Sequence, residues 1–314
     1  MRYAKPATTF DEQADLLLKR GMIGDRATLI ARLSFVNYYR LSAYWWPFRK
    51  PGPTALERLD EFIEGTEFTT VWDHYSFDQR LRVLVMEAIE RTEVATRTQL
   101  AYHHAHAWTP DAYATNPASL PRLVSGPATD PRTHAAFLEK LHVNLQQNGD
   151  KPFVRHFKTK YTASALLPIW MAVELMSLGN VTSMYQGCTD DVRDRVATHV
   201  GGVSNTIFGS WLLTLLNVRN ICAHHDRLWN RKLAKIPAIP AYKTRPEWYQ
   251  PHFDSTKLYA ALTICNYLLT IVTAGSSTWG KRLATLLGEH PRVQITDMGF
   301  PIKWLDSPLW ANAK

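Results

Sequence analysis

Between Arg219 and Arg231 the chain reads RNICAHHDRLWNR, and Arg219, Asn220 and His224 stand there in the spacing R-N-x-x-x-H. The run closes an apolar stretch, FGSWLLTLLNV, whose composition predicts a buried helix. Successive helical residues turn through about 100°, so Asn220 and His224, four apart, share a face. Arg219 lies one step round, and its long side chain brings the guanidinium to the same place. A titratable imidazole, an amide and a permanent cation then converge, which suits proton transfer beside a phosphodiester. In that chemistry His224 is the general acid or base and Arg219 holds phosphate charge in bidentate fashion. Asn220 orients His224 or a phosphate oxygen. The same residues also have a structural reading, because arginine and histidine near a helix C-terminus satisfy the last carbonyls and the negative end of the macrodipole.

The charge pattern favours a polyanion. The chain of 314 residues carries a net charge of +8, and residues 1–100 hold 14 Lys/Arg against 14 Asp/Glu. The whole excess therefore lies in residues 101–314, with 22 against 14. From Arg219 to Arg245 seven basic residues face Asp226 alone, and Lys151 to Lys160 adds four with no acid. Arg227, Arg231, Lys232 and Lys235 extend the basic surface from the motif, while Arg155 and Lys158 supply a second patch. These six are the candidate RNA-binding residues. His225 is turned about 100° from His224 and is expected only to support the site. Glu174, the lone acid in PIWMAVELMSLG, has two readings: a buried carboxylate that orients Arg219, or a solvated surface residue.

Other chemistries find less support. The HHAH cluster (His103, His104, His106) has no carboxylate or cysteine partner at metal-ligand spacing, so neither metal nor cofactor is expected. GGVSN lacks the lysine and the preceding strand of a phosphate loop. Three widely spaced cysteines (Cys188, Cys222, Cys265) fit neither a disulfide framework nor a zinc motif, and Cys222 reads as a small core residue. No stretch supplies the roughly 18 uncharged apolar residues of a membrane span, and no signal-peptide core follows Met1. A cytoplasmic protein without a membrane partner is the expectation.

The elements that must position these groups read almost entirely as helix. Thr9-x-x-Glu12 is a capping box for a helix that stops at Gly21, and Asp25 caps the next. The aromatic run FVNYYRLSAYWWPF, Phe35 to Phe48, is read as core packing or as a platform for single-stranded bases. Ser76-x-x-Gln79 predicts the start of a long helix with Leu81, Leu84, Val85, Ala88 and Ile89 on its apolar face. Residues from about 109 to 131 read as loop. Pro168 and Gly179 bracket one further helix, and Thr189 caps another that ends at Gly201 and Gly202. Ser204 or Asn205 opens the motif helix, and two helices close the chain at roughly 255–274 and 279–287. No period-2 run predicts a sheet. The fold class is all-α, a helical bundle with an N-terminal helical extension. Residues 1–70 form the aromatic-rich N-terminal region, 71–290 the core with the motif, and 291–314 a C-terminal tail.

At these residues the chain resembles known proteins. R-N-x-x-x-H at a helix end resembles the HEPN superfamily, helical domains that include metal-independent ribonucleases. The whole chain resembles the Abi family of bacterial abortive-infection proteins, AbiD/AbiF-like, in blocks that fall in the expected order. These are FVNYYRLSAYWWPF, YSFDQRLRVLVMEAIERTEVATRTQLAY, LPIWMAVELMSLGNVTSMY, LLNVRNICAHHDRLWNR and MGFPIKWLDSPLW. The resemblance implies a HEPN-like bundle and an endoribonuclease of an anti-phage or toxin system. It also implies a homodimer in which two motifs face each other, so that Arg219, Asn220 and His224 build one composite site. Cleavage by the RNA's own 2′-OH, leaving a 2′,3′-cyclic phosphate, and a structured non-coding RNA as partner or antitoxin are further implications. The alternative is a non-catalytic RNA-binding protein that recognises a structured RNA through its basic segment. A third reading is a helical interaction module whose motif only caps and packs its helix.

Overall fold

The computed structural model describes residues 6–54, 57–130, 132–162, 166–250 and 253–314. Local chemistry sets the first helices. Thr9 Oγ1 accepts from the Glu12 amide while Glu12 accepts the Thr9 amide at 2.7 Å, opening α1 (Phe10–Lys19). Asp25 caps α2 (Arg26–Leu33), and Asn37 caps α3 (Tyr38–Trp45). The segments β1 (Arg49–Pro51) and β2 (Arg58–Phe62) then pair antiparallel, Arg49 opposite Phe62 and Pro51 opposite Arg58. Only Phe62 of the two strands is buried, so the hairpin leaves no alternating signal in the sequence.

A 40-residue helix follows, α4 (Phe68–Ala107), then α5 (Ala112–Thr115), α6 (His134–Gln147) and α7 (Pro152–Lys160). The chain continues through α8 (Ile169–Ala172), α9 (Leu178–Gly187), α10 (Asp190–Gly201) and the motif helix α11 (Asn205–Ala223). The last two are α12 (Leu258–Val272) and α13 (Trp279–Glu289). The chain is 63% helical, and its sheet among the described residues is the single hairpin, so the fold is predominantly α as expected.

The chain divides into two compact units, Met1–Arg82 with Thr285–Ile295 and Val83–Ala284 with Thr296–Lys314. In the first, Leu17, Leu29, Leu33, Leu41, Tyr44 and Trp45 form the core. Tyr44 Oη donates to Asp78 Oδ2 at 2.5 Å, and Arg82 pairs with the same fully buried carboxylate, which keeps the charge compensated. The aromatic run thus divides: Tyr44 and Trp45 are core, while Phe35 and Tyr39 are exposed. In the second unit the motif helix α11 packs against α9, α10 and α12.

Several elements differ from expectation. The long helix begins at Phe68 rather than near Ser76, because no breaker intervenes and Val71 and Phe77 already bury their side chains. The helix expected between Pro168 and Gly179 is broken. α8 gives way to a 3-10 turn, Met176 is extended, and Ser177 caps α9 by accepting the Asn180 amide. Arg97 takes up the freed Met176 carbonyl at 2.5 Å, and Gly179 sits in a first turn instead of ending a helix. Part of the expected loop is ordered as α5 and a 3-10 turn. Residues 296–314 pack into the second unit rather than trailing: Asn266 Nδ2 donates to the Leu309 carbonyl at 2.8 Å, and the Trp310 ring is fully buried.

Candidate functional site

The motif helix is positioned from both ends. At its start Gly202, at φ +57, ends α10 in the left-handed region, where a Cβ would lie 3.2 Å from the Arg245 guanidinium. Ser204 then caps α11. Phe208, Trp211, Leu212, Leu215, Val218 and Cys222 recur at three- and four-residue intervals and are buried, which fixes the rotation of the helix. That rotation leaves Arg219 half-buried and Asn220 and His224 exposed.

At the far end the helix closes with a Schellman turn. The His225 amide bonds the Cys222 carbonyl at 3.0 Å and the Asp226 amide bonds the Ile221 carbonyl at 2.9 Å. The residue in the left-handed position is His225, at φ +58, where glycine is the usual occupant. His224 is the C-cap at φ −86 and ψ 6, so the two histidines leave the helix in different directions.

Arg219 Nη1 donates to Asn220 Oδ1 at 3.1 Å. Asn220 therefore steadies the guanidinium rather than the imidazole of His224, which makes no hydrogen bond among the described residues. The carboxylate near Arg219 is Glu93 of α4. Burial holds the Glu93 carboxyl above the usual carboxylate range, against the pull of Arg97 and, less strongly, of Arg219. Glu93 pairs with Arg97, whose guanidinium also holds the Met176 carbonyl. Glu174 is exposed on the 3-10 turn after α8 and has no ion-pair partner among the described residues, so the solvated reading fits it. Glu93 was legible only as an i, i+4 partner of Arg97. The missed signal is its place four residues after Ile89 and three before Thr96, both buried, on the core stripe of α4.

The basic segment does not gather at the motif. Trp211 Nε1 donates to the Ala238 carbonyl at 2.8 Å, Thr214 Oγ1 to the Lys235 carbonyl at 3.0 Å, and the Ala238 amide to Ser210 Oγ at 2.9 Å. The segment after the motif thus runs back along α11, and Lys235 lies beside Thr214, ten residues or about 15 Å before His224 along the helix. Arg227 stands over the buried Trp229 ring at 5.8 Å, Arg231 and Lys232 are exposed, and Lys232 pairs with Lys257 through the backbone. Lys235 is thus carried away from the motif along α11. Arg155 and Lys158 belong to α7 and share no hydrogen bond or ion pair with Arg219 or His224 among the described residues.

The histidines of α4 have another character. His104 is fully buried with neither ring nitrogen hydrogen-bonded among the described residues, and burial pushes its imidazole down to about 4. His103 is lowered too, by burial first and then by His199, whose ring is 5.0 Å away. Among the described residues no cluster of three or more His, Cys, Asp or Glu could hold a metal ion. Cys188, Cys222 and Cys265 are buried and free, and burial raises the Cys188 thiol to about 12. No helix of the described residues is long and apolar enough to cross a membrane.

In comparisons with known proteins, the family described as Abi-like protein matches residues 31–230, which include the aromatic run, α4 and the whole motif. Neither the curated proteins nor the solved structures give a match.

Proposed function

This chain belongs to the Abi-like protein family, and from that premise we propose that it is a metal-independent HEPN endoribonuclease acting in abortive infection or as a toxin. The observation that carries the reading is the exposed end of α11. A half-buried guanidinium is held by Asn220 with Glu93 behind it, and an exposed imidazole without a hydrogen bond among the described residues stands one turn on.

In the proposed reaction His224 removes the proton of the RNA 2′-OH while His224 of a second copy protonates the departing 5′ oxygen, or the two exchange roles. The 2′ oxygen attacks the adjacent phosphorus, the P–O5′ bond breaks, and a 2′,3′-cyclic phosphate and a 5′-hydroxyl remain. Arg219 offers two donors to the negative charge that grows on the phosphorane oxygens. Asn220 and Glu93 limit where that guanidinium points. In a homodimer two such ends would face each other and complete one site. The cations along α11 would hold the flanking backbone, whether of a substrate or of a structured RNA partner.

The test is incubation of wild type, Arg219→Ala and His224→Ala with labelled total RNA and tRNA in EDTA, with the ends mapped. Cleavage by wild type alone, leaving cyclic phosphates, is the expected result, and DNA should resist because it lacks the 2′-OH. Salt-sensitive binding of a structured RNA without turnover by any of the three would replace the enzyme with an RNA-binding protein.

A further inference from the structure

The second unit holds a cleft of about 790 Å³ to which the R-N-x-x-x-H segment contributes no residue. Its size falls in the roughly 300–1,000 Å³ range of sites that take small organic groups. It is walled by the start of α5, the C-terminal half of α7 and the start of α8, and three features limit what fits there.

The first is aromatic surface left in water. Trp170 is 53% exposed and Tyr161 47% exposed, although rings of this size normally bury most of their area. Tyr161 is braced, with Phe157 at 5.1 Å between ring centroids and Lys160 Nζ at 5.4 Å from its ring. No ring or cation stacks on Trp170 among the described residues, so its face is open. The second feature is polar: Asp111, Thr115 and His156 line the same cleft, supplying a carboxylate, a hydroxyl and an imidazole. One oxygen of Asp111 accepts from Thr109 Oγ1 at 2.8 Å, which fixes the carboxylate and leaves its second oxygen for a ligand. The third is charge. Lys160, exposed, stands at the cleft's edge with its Nζ 5.4 Å from the Tyr161 ring, whereas Arg155 turns to Asp150 and donates to its carbonyl at 3.2 Å.

An open indole face, a fixed carboxylate and a lysine at the edge suit a planar heterocycle joined to phosphate. We propose that the cleft is a subsite for one unstacked nucleobase of single-stranded RNA, laid on Trp170, its edge read by Asp111 and His156 and its phosphate met by Lys160. This rests on the RNA reading above and adds to it the form of RNA recognised. A base inside a duplex presents no free face, so the subsite selects single strands.

The experiment uses full-length His224→Ala protein, which leaves RNA whole, and a short unstructured RNA with a fluorescent label, beside a blunt duplex RNA of equal length. Adding Trp170→Ala should weaken single-strand binding roughly 5- to 150-fold, the loss expected for one stacked base, and leave the duplex unaffected. Trp170→Phe should restore most of the affinity, because phenylalanine keeps a stacking face. Unchanged melting temperatures would show that the half-exposed indole is not needed for folding. Single-strand binding equal to the parent's overturns the subsite, as does an equal loss on the duplex. In either case cleavage by wild type would leave the ribonuclease reading standing. If the parent protein binds no RNA at all, both proposals fall together.

Discussion

The chain uses histidine pairs twice, at His103–His104 in α4 and at His224–His225 after α11, and the two sites are opposites. In α4 the rings are taken out of water with little to bond, so burial keeps the charge off His104 down to a pH of about 4. At the end of α11 both histidines are exposed to solvent. The same residue type is fitted for packing in one place and, under the proposed function, for reaction in the other. Solvent access decides which, and neighbouring letters in the sequence do not report it.

The largest effect that could break this contrast is catalytic. His224→Ala should lower the rate of RNA cleavage about 10²- to 10⁴-fold with little change in melting temperature, as read by end-labelled cleavage and thermal denaturation. A variant that unfolds while His103→Ala stays folded would reverse the roles assigned to the two pairs. Next comes acid stability. His104 has a native pKa of about 4 against 6.5 unfolded, so the unfolded chain binds more protons between those values and stability falls as pH drops through them. The loss between pH 7 and pH 4 should be about 3 kcal/mol from this residue, and urea unfolding of His104→Leu should show it removed. An identical pH dependence in the variant would place the acid sensitivity elsewhere.

A smaller effect sharpens the account of the exposed site. Glu93→Gln keeps the shape but removes the charge that faces Arg97 and Arg219, and should cost about 1–3 kcal/mol of stability. If Glu93 also positions Arg219, kcat should fall about tenfold with KM little changed, whereas a purely structural role would leave the surviving enzyme's kcat intact. The smallest effect is at the left-handed position. His225→Gly should stabilise the protein by about 1 kcal/mol by relieving φ +58, measured as a rise in midpoint on denaturation. Lower stability instead would mean that the His225 side chain contributes more than its backbone costs.

The sequence made the helices and the motif legible because both are local. Capping at Thr9 and Asp25, the apolar stripe of α11 and the R-N-x-x-x-H spacing need only neighbours within one or two turns. What escaped was set by distant partners. The break at Met176 leaves a carbonyl that accepts from Arg97, 79 positions earlier. The carboxylate behind Arg219 is Glu93 rather than Glu174, which is a fact about how α4 meets α11. The hairpin of residues 49–62 was invisible for a different reason: with only Phe62 buried, no alternation of apolar residues marks it. The basic run from Arg227 to Lys235 was correctly seen as cationic, but its path back along α11 is written in Ser210, Trp211 and Thr214, residues that read as ordinary core.

That returning segment has a thermodynamic consequence. Three hydrogen bonds to α11 order its backbone before any polyanion arrives, so if RNA is captured there as proposed, binding need not include the folding of a flexible tail. Flexible basic arms give up conformational freedom on binding and show it as a large unfavourable entropy with a marked heat-capacity change. A flank already laid in place avoids most of that cost, and its affinity should come chiefly from released counterions. Calorimetry on such a surface would read a small heat-capacity change together with a steep dependence on salt.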